Sequence, residues 1–215
     1  TALVLVIFAA GLPAFILVFL GQFFDLFDGR LARRFGSTPR GALFDDIADG
    51  TSFGLATSLI VFAALGANVG ALFCATFYCL CTIYRLVRFL RRPAADPGVF
   101  IGLPAPAGAL LAGSAVLVFR AGTDIAAYLL VLAAAVLMVS RVRYLHFARK
   151  IWPAMPNMAK LTLFVCVLVV ASRQLTRRFL FLEIISLEWI ALVAAVLYTV
   201  LGRERGSHKG LAARP

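Results

Sequence analysis

Acidic residues are scarce in this sequence. Only ten Asp and Glu stand against 21 Lys and Arg, charged residues make up 14% of the 215 positions, and 62% are hydrophobic. This low density of charge excludes an ordinary soluble enzyme. Uncharged stretches such as residues 55–81 and 98–119 exceed the length of about 18 apolar residues that indicates a bilayer-spanning helix. The chain is therefore predicted to be an integral, polytopic membrane protein.

Cysteine and histidine are also few. The four cysteines lie in apolar segments without the C-x2-C spacing of a metal site, and the two histidines stand alone. We interpret the cysteines as small buried residues.

The net charge of +11 comes from basic residues in short clusters between apolar segments. This distribution argues against nucleic-acid binding and suits contact with anionic lipid headgroups.

Gly, Pro and charged residues divide the apolar sequence into helical segments. They predict an all-α bundle of about seven to eight transmembrane helices, forming one domain over residues 1–215. Nothing indicates a β-strand. Residues 1–11 are expected to be the remnant of a first helix, and residues 203–215 a cytoplasmic tail. A second helix is predicted to end near Asp28, and the others at about 42–65, 68–92, 104–121, 124–145, 158–173 and 179–201.

The basic residues predict the orientation in the membrane. All but four of the 21 Lys and Arg fall in alternate loops and in the C-terminal tail, the exceptions being Arg120, Arg173, Arg177 and Arg178. Cytoplasmic loops carry the excess of Lys and Arg. The loop that follows Asp28 is therefore expected to face the cytoplasm.

Five of the ten acidic residues fall within residues 25–49. Asp25 and Asp28 are three apart on one predicted helix, and Asp45 and Asp49 are four apart on the next, so each pair shares a helix face. Asp46 points about 100° away from Asp45 on helical geometry. Two antiparallel helices joined by a turn can direct both carboxylate pairs at one point.

Four carboxylates at membrane depth are costly, at about 2.5–3.5 kcal/mol each, unless cations offset them. Two divalent ions, Mg²⁺ or Mn²⁺, prefer oxygen ligands and can clamp a phosphoryl group. The alternative is that nearby arginines neutralise the acids as structural ion pairs, although such pairs do not require two carboxylate faces opposite each other. The arginines available for this are Arg30, Arg33, Arg34 and Arg40.

Small residues between the carboxylates leave room for a ligand. Gly29 and Ala32 leave a bare helix surface that can admit a flat group against the backbone, and Gly41 removes bulk one turn before Asp45. Arg33 lies one turn after Gly29, where its guanidinium can donate two hydrogen bonds to a phosphate. These residues suit a phosphate-containing ligand beside the carboxylates.

The pattern Asp25-x2-Asp28-Gly29-x2-Ala32-Arg33-x7-Gly41-x3-Asp45-x3-Asp49 resembles the signature of the CDP-alcohol phosphotransferases, membrane enzymes of phospholipid synthesis. The family usually has eight residues where this chain has seven between Arg33 and Gly41. The resemblance implies that Asp25, Asp28 and Asp45 hold two metal ions, with Asp49 as a further ligand or the general base. It also implies that a CDP group, which Asp28 helps to bind, is framed by Gly29, Ala32, Arg33 and Gly41.

Four further stretches are similar to those of phosphatidylserine synthases: "DDIADGTSFG" (45–54), "YRLVRFL" (84–90), "FIGLPAPAGA" (100–109) and "LMVSRVRY" (137–144). This resemblance implies transfer of the phosphatidyl group of CDP-diacylglycerol to L-serine with release of CMP. It also suggests a homodimer. Other acceptors stay open, namely glycerol phosphate, inositol phosphate or choline, as does an archaeal ether lipid.

Residues outside the signature receive weaker interpretations. Arg85 and Arg88, three apart on one helix, can contact the carboxylate of serine or a lipid phosphate, or can anchor the helix on the cytoplasmic side. Pro104 and Pro106 are expected to shape the start of a helix, with Gly102 giving the backbone room.

Two functions of other classes are compatible with an acidic cluster in a membrane. A divalent-cation transporter would be expected to spread acidic residues over several helices, whereas the helices after residue 50 have few. A catalytically dead scaffold is disfavoured because every carboxylate of the signature is present.

Overall fold

A computed structural model of the chain describes residues 15, 16, 18, 48–91, 98–119, 125–145, 147, 150, 155–158 and 187–203. This part of the chain is mostly helical, as predicted. A π-helix over Gly50–Ala56 continues directly into the α-helix that follows it. The remaining elements, in chain order, are α1 (Thr57–Ala64), α2 (Val69–Arg91), β1 (Val99–Ile101), α3 (Ala105–Val118), α4 (Ile125–Val139), β2 (Arg143–Leu145) and α5 (Leu187–Leu201).

The predicted helices at 42–65, 68–92, 104–121 and 124–145 are confirmed over the described residues, within a few residues at most ends. The last of them ends earlier than expected, at Val139. The predicted helix at 158–173 and the segments at 1–11 and 203–215 lie almost wholly outside the described residues. Within the described part, α2 alone has the length and hydropathy to cross a membrane, and the other apolar helices have 10–17 residues.

The centre of the described bundle is α3. Ten of its fourteen residues are buried, and it packs against α4 and α5, while α2 packs against α4. Its small residues allow this close approach. A Cβ atom on Gly108 would lie 2.8 Å from the sulfur of Met138 in α4. The helix begins after Pro104, which occupies the N-cap, with Pro106 in the first turn, so the expectation for these prolines is confirmed.

The absence of β-structure is the prediction that the fold corrects. β1 and β2 form an antiparallel two-stranded sheet in the register Val99 with Leu145, Phe100 with Tyr144 and Ile101 with Arg143. Each strand has three residues, too few for an alternating pattern to show in the sequence. They pair because the segments after α2 and α4 come together at one end of the bundle, and pairing satisfies their backbone groups.

The π-helix is held by a side chain from α2. The fully buried Tyr78 donates a hydrogen bond of 3.1 Å to the carbonyl of Phe53, and the Ser58 hydroxyl donates one of 2.7 Å to the carbonyl of Gly54. π-helical turns are rare in proteins, and those that do occur are often found at functional sites. The carboxylate residue Asp49 immediately precedes this segment.

Tyr78→Phe is expected to destabilise the protein by about 1 kcal/mol, because the carbonyl of Phe53 loses a buried hydrogen bond while the ring still fills its place. Thermal unfolding in detergent measures the effect. Tyr84→Phe is the matched control, since Tyr84 lies on the same helix and is 54% exposed. An equal change in both variants would contradict a specific role for Tyr78.

Candidate functional site

Three of the predicted site residues, Asp49, Arg85 and Arg88, lie in the described part of the chain. The others are outside the described residues: Asp25, Asp28, Gly29, Ala32, Arg33, Gly41 and Asp45. The metal and nucleotide sites therefore stay predictions of the sequence. The structure shows what surrounds Asp49 on the side formed by α2 and the sheet.

Asp49 is half-buried, and it has helical backbone angles at the start of the π-helix. The next residue, Gly50, approaches α2 closely, since a Cβ atom there would lie 3.2 Å from the Leu86 side chain. This contact brings Asp49 beside the turn of α2 that carries Arg85. The Asp49 carboxylate exerts an attractive electrostatic interaction on the Arg85 guanidinium.

Arg85 is buried, with 8% of its surface exposed. Its guanidinium carbon lies 6.0 Å from the centre of the Phe100 ring in β1, and the positive charge of Arg88 repels it. Its buried Nε atom has no hydrogen-bond acceptor among the described residues. Burying a charged donor without an acceptor is costly. An anionic ligand that accepts a hydrogen bond from Nε would remove that cost.

Arg88 is engaged differently, three residues further along the same helix. Its Nη1 donates to the carbonyl of Val139 at 2.7 Å, and its Nη2 donates to the carbonyl of Ile101 at 2.7 Å and of Met138 at 3.2 Å. These carbonyls belong to the last turn of α4 and to β1. A guanidinium at a helix C-terminus satisfies carbonyls that have no partner within the helix. Arg88 thus ties α2 to both elements.

Gly102 gives this junction its close approach, as expected from the sequence. Its φ of +81° is a conformation that L side chains rarely adopt. A Cβ atom there would lie 2.3 Å from the Met138 carbonyl oxygen and 2.7 Å from Nη2 of Arg88. The backbone amide donates to the carbonyl of Val142 at 2.7 Å. Only glycine fits this position without displacing the Arg88 contacts.

The sequence interpretation missed two tyrosines, one in β2 and one in α5. Tyr144 in β2 is fully buried, pairs with Phe100 across the sheet, and stacks on Tyr198 of α5 with ring centres 6.0 Å apart. Tyr198 donates a 2.9 Å hydrogen bond to the carbonyl of Leu145. The sequence places Tyr144 beside Arg143 in a stretch predicted to end a helix. Its link to Arg85, through the paired residue Phe100, depends on the unexpected sheet.

The chain matches the model of the CDP-alcohol phosphatidyltransferase family over residues 1–140. The chain is also similar to several proteins named CDP-diacylglycerol–serine O-phosphatidyltransferase. The protein from Methanocaldococcus jannaschii is 36% identical over 143 residues, covering 66% of this chain and 68% of its own. That from Helicobacter pylori strain J99 is 32% identical over 200 residues, covering 85% and 81%. That from Bacillus subtilis is 31% identical over 140 residues, covering 63% and 76%.

Proposed function

Because the chain belongs to the CDP-alcohol phosphatidyltransferase family and is therefore a phosphatidyltransferase, we propose that it transfers the phosphatidyl group of CDP-diacylglycerol to L-serine. The products are phosphatidylserine and CMP. The names of the relatives support serine as the acceptor. The observation that carries the proposal is the buried guanidinium of Arg85, whose Nε has no acceptor among the described residues and which therefore offers a site for the carboxylate of an amino acid.

The reaction is a displacement at phosphorus. The hydroxyl oxygen of serine forms a bond to the phosphorus that carries the diacylglycerol, the bond from that phosphorus to the CMP oxygen breaks, and the hydroxyl proton is lost to a base. Asp49 accepts this proton or serves as a further metal ligand, the two roles that the sequence leaves open. Arg85 binds the serine carboxylate and orients the hydroxyl, which favours attack by holding the reacting atoms close together.

Divalent metals fit the donor set that the sequence supplies. Asp25, Asp28, Asp45 and Asp49 offer only carboxylate oxygens, which Mg²⁺ and Mn²⁺ prefer. When bound, two such ions would neutralise the diphosphate and stabilise the charge that develops on it. Gly29, Ala32, Arg33 and Gly41 would lie along the CDP group, with Asp28 contacting both the metal and the nucleotide.

The proposed setting is a membrane-embedded homodimer of seven to eight transmembrane helices, with the site open to the cytoplasm. Support for the membrane comes from α2, which is long and apolar enough to cross it, and from the uncharged stretches elsewhere in the sequence. Support for the orientation comes from the distribution of Lys and Arg. Membrane lipids are then both the surroundings and the source of one substrate.

The experiment that tests the function is CMP release by the full chain in detergent, with CDP-diacylglycerol and Mn²⁺ or Mg²⁺. L-Serine, glycerol 3-phosphate, inositol phosphate and choline are compared as acceptors, and EDTA provides the metal-free control. Release that depends on serine and on the metal is expected. If CMP is released with another alcohol and not with serine, that alcohol is the acceptor. Absence of release with every acceptor, despite metal binding, would favour the transporter or the scaffold.

Arg85→Gln is expected to raise the KM for serine about 10- to 100-fold, because a charge-assisted hydrogen bond to the carboxylate is lost. The KM for CDP-diacylglycerol should change little. Initial rates over a range of each substrate measure both constants. Arg91→Gln is the control, since Arg91 is an exposed arginine on the same helix. A rise only in the KM for CDP-diacylglycerol would assign Arg85 to the lipid phosphate, the other role predicted for it.

Unlike Arg85, Arg88 uses its guanidinium for hydrogen bonds within the protein. Both terminal nitrogens of its guanidinium donate to backbone carbonyls. We therefore assign recognition of the acceptor to Arg85, and to Arg88 the placement of the junction between α2, β1 and α4. The acceptor or lipid-phosphate contact predicted for Arg88 has no support in these hydrogen bonds.

A further inference from the structure

Two buried polar atoms close to the proposed acceptor site have no hydrogen-bond partner among the described residues. They are Nε of Arg85 and the hydroxyl of Tyr144. Arg85 is 8% exposed and Tyr144 is fully buried. Buried polar atoms in folded proteins are nearly always hydrogen-bonded, so each of these two atoms calls for a partner outside the described residues.

The two residues belong to one continuous cluster. The guanidinium of Arg85 lies over the ring of Phe100, at 6.0 Å. Phe100 and Tyr144 are directly paired across the antiparallel sheet, so their side chains leave the sheet on the same face. Tyr144 then stacks on Tyr198, whose hydroxyl is also within electrostatic range of Arg85. The sheet and α5 thus form a wall of aromatic rings beside the guanidinium.

The backbone holds this wall in place. The amide of Leu145 donates to the carbonyl of Gly202 at 2.7 Å, and Tyr144 forms an isolated antiparallel bridge with Arg203. Both β2 and α5 lie beyond residue 140, where the match to the family model ends. Gly202 and Arg203, which follow α5, hold β2 on the side opposite to β1. These backbone contacts on both sides fix the position of Tyr144 in the cluster.

The chemistry of the two atoms defines the missing partner. A guanidinium N–H is a donor only, and a tyrosine hydroxyl can donate one hydrogen bond. A group with several acceptor atoms and a negative charge, such as a carboxylate or a phosphate, can accept hydrogen bonds from both donors. The attraction from Asp49 does not replace such a ligand, because Nε of Arg85 still has no acceptor among the described residues.

We propose that the Tyr144 hydroxyl and Arg85 Nε together bind one anionic group of a substrate, and that Tyr144 is a specificity-determining residue for it. The inference rests on the proposed function, in which the anionic group is the carboxylate of serine. The phosphate of CDP-diacylglycerol offers the same chemistry, and the two sources are separated by which KM changes.

The test compares Tyr144→Phe with Tyr198→Phe, which removes a hydroxyl from the same stack. Tyr144→Phe keeps the ring and removes an unpartnered hydroxyl, so the melting temperature without substrate should be unchanged or higher. The KM for serine should rise about 3- to 10-fold, the effect of one lost hydrogen bond, with kcat within about 2-fold. Tyr198→Phe loses the bond to Leu145, so its melting temperature should fall while the KM for serine changes little.

Every outcome of this comparison decides something. A rise in the KM for serine supports the carboxylate as the bound group, and a rise only in the KM for CDP-diacylglycerol supports the phosphate. If neither KM changes, or if a rise in KM is accompanied by a fall in melting temperature like that of Tyr198→Phe, Tyr144 is structural and the proposal is overturned. Failure of the unmodified chain to release CMP with serine would instead reject the proposed function, before any variant is considered.

Discussion

Asp49→Asn is expected to reduce serine-dependent CMP release by about 10²- to 10⁴-fold, the usual contribution of a positioned proton acceptor. The substitution keeps the size of the side chain and removes its charge. Arg85, which is attracted by that charge, then also loses a favourable electrostatic interaction. Initial rates with saturating CDP-diacylglycerol and serine measure the loss.

The dependence on metal concentration separates the two roles that remain open for Asp49. If the carboxylate is a metal ligand, raising Mn²⁺ should restore part of the activity, since the variant binds the ion more weakly. If it is the general base, metal should not restore activity, and the deficit should lie in kcat. Asp124→Asn is the control because Asp124 lies outside the signature. Activity of the Asp49 variant above a tenth of the original, at the metal concentration that just saturates the unmodified protein, would rule out both roles.

Gly102→Ala is expected to lower the free energy of unfolding by about 2–4 kcal/mol. One part of the cost comes from a positive φ at a residue with a side chain, and the other from overlap with the surrounding atoms. The new methyl group would lie 2.3 Å from the Met138 carbonyl oxygen and 2.7 Å from Nη2 of Arg88. Thermal unfolding in detergent should show a melting temperature lower by about 5–15 °C.

Gly66→Ala is a closely matched control for this prediction. Gly66 has nearly the same positive φ, +84°, but the nearest atom to a Cβ there is Nδ2 of Asn68 at 4.0 Å. It should therefore show only the backbone cost, about 1 kcal/mol. Equal effects in the two variants would mean that the junction at Arg88 yields to the methyl group. A larger effect at Gly102 attributes the difference to the contacts of that junction.

The apolar segments, and the Gly, Pro and charged residues that separate them, sufficed to locate the described helices. The best case is α2, predicted at 68–92 and observed over Val69–Arg91, because a long apolar segment with arginines at its end has no other stable arrangement in a membrane. The π-helical turn at Gly50–Ala56 was not predicted, since the same residues suit an α-helix. The sheet was missed because its strands are short and their pairing joins residues more than 40 positions apart.

Part of the candidate site was likewise predictable from the sequence, and part was not. The eight positions of the signature are visible in the sequence, since spacing along a helix decides which carboxylates share a face. Spacing could not separate Arg85 from Arg88, which lie three apart on one helix. Their difference arises from the groups opposite them: carbonyls at the end of α4 for Arg88, and an aromatic ring with no hydrogen-bond acceptor among the described residues for Nε of Arg85.

The sequence by itself thus determined the class of protein, most of the described helices and the family, because each depends on residues close together in the chain. Only the tertiary structure decided that Arg88 holds the junction, that Arg85 is buried with no acceptor for its Nε among the described residues, and that Tyr144 pairs with Phe100. Those facts depend on contacts between α2, the sheet and α5. Such contacts are made when the helices pack and their free backbone groups find partners, and no local pattern records which partners they find.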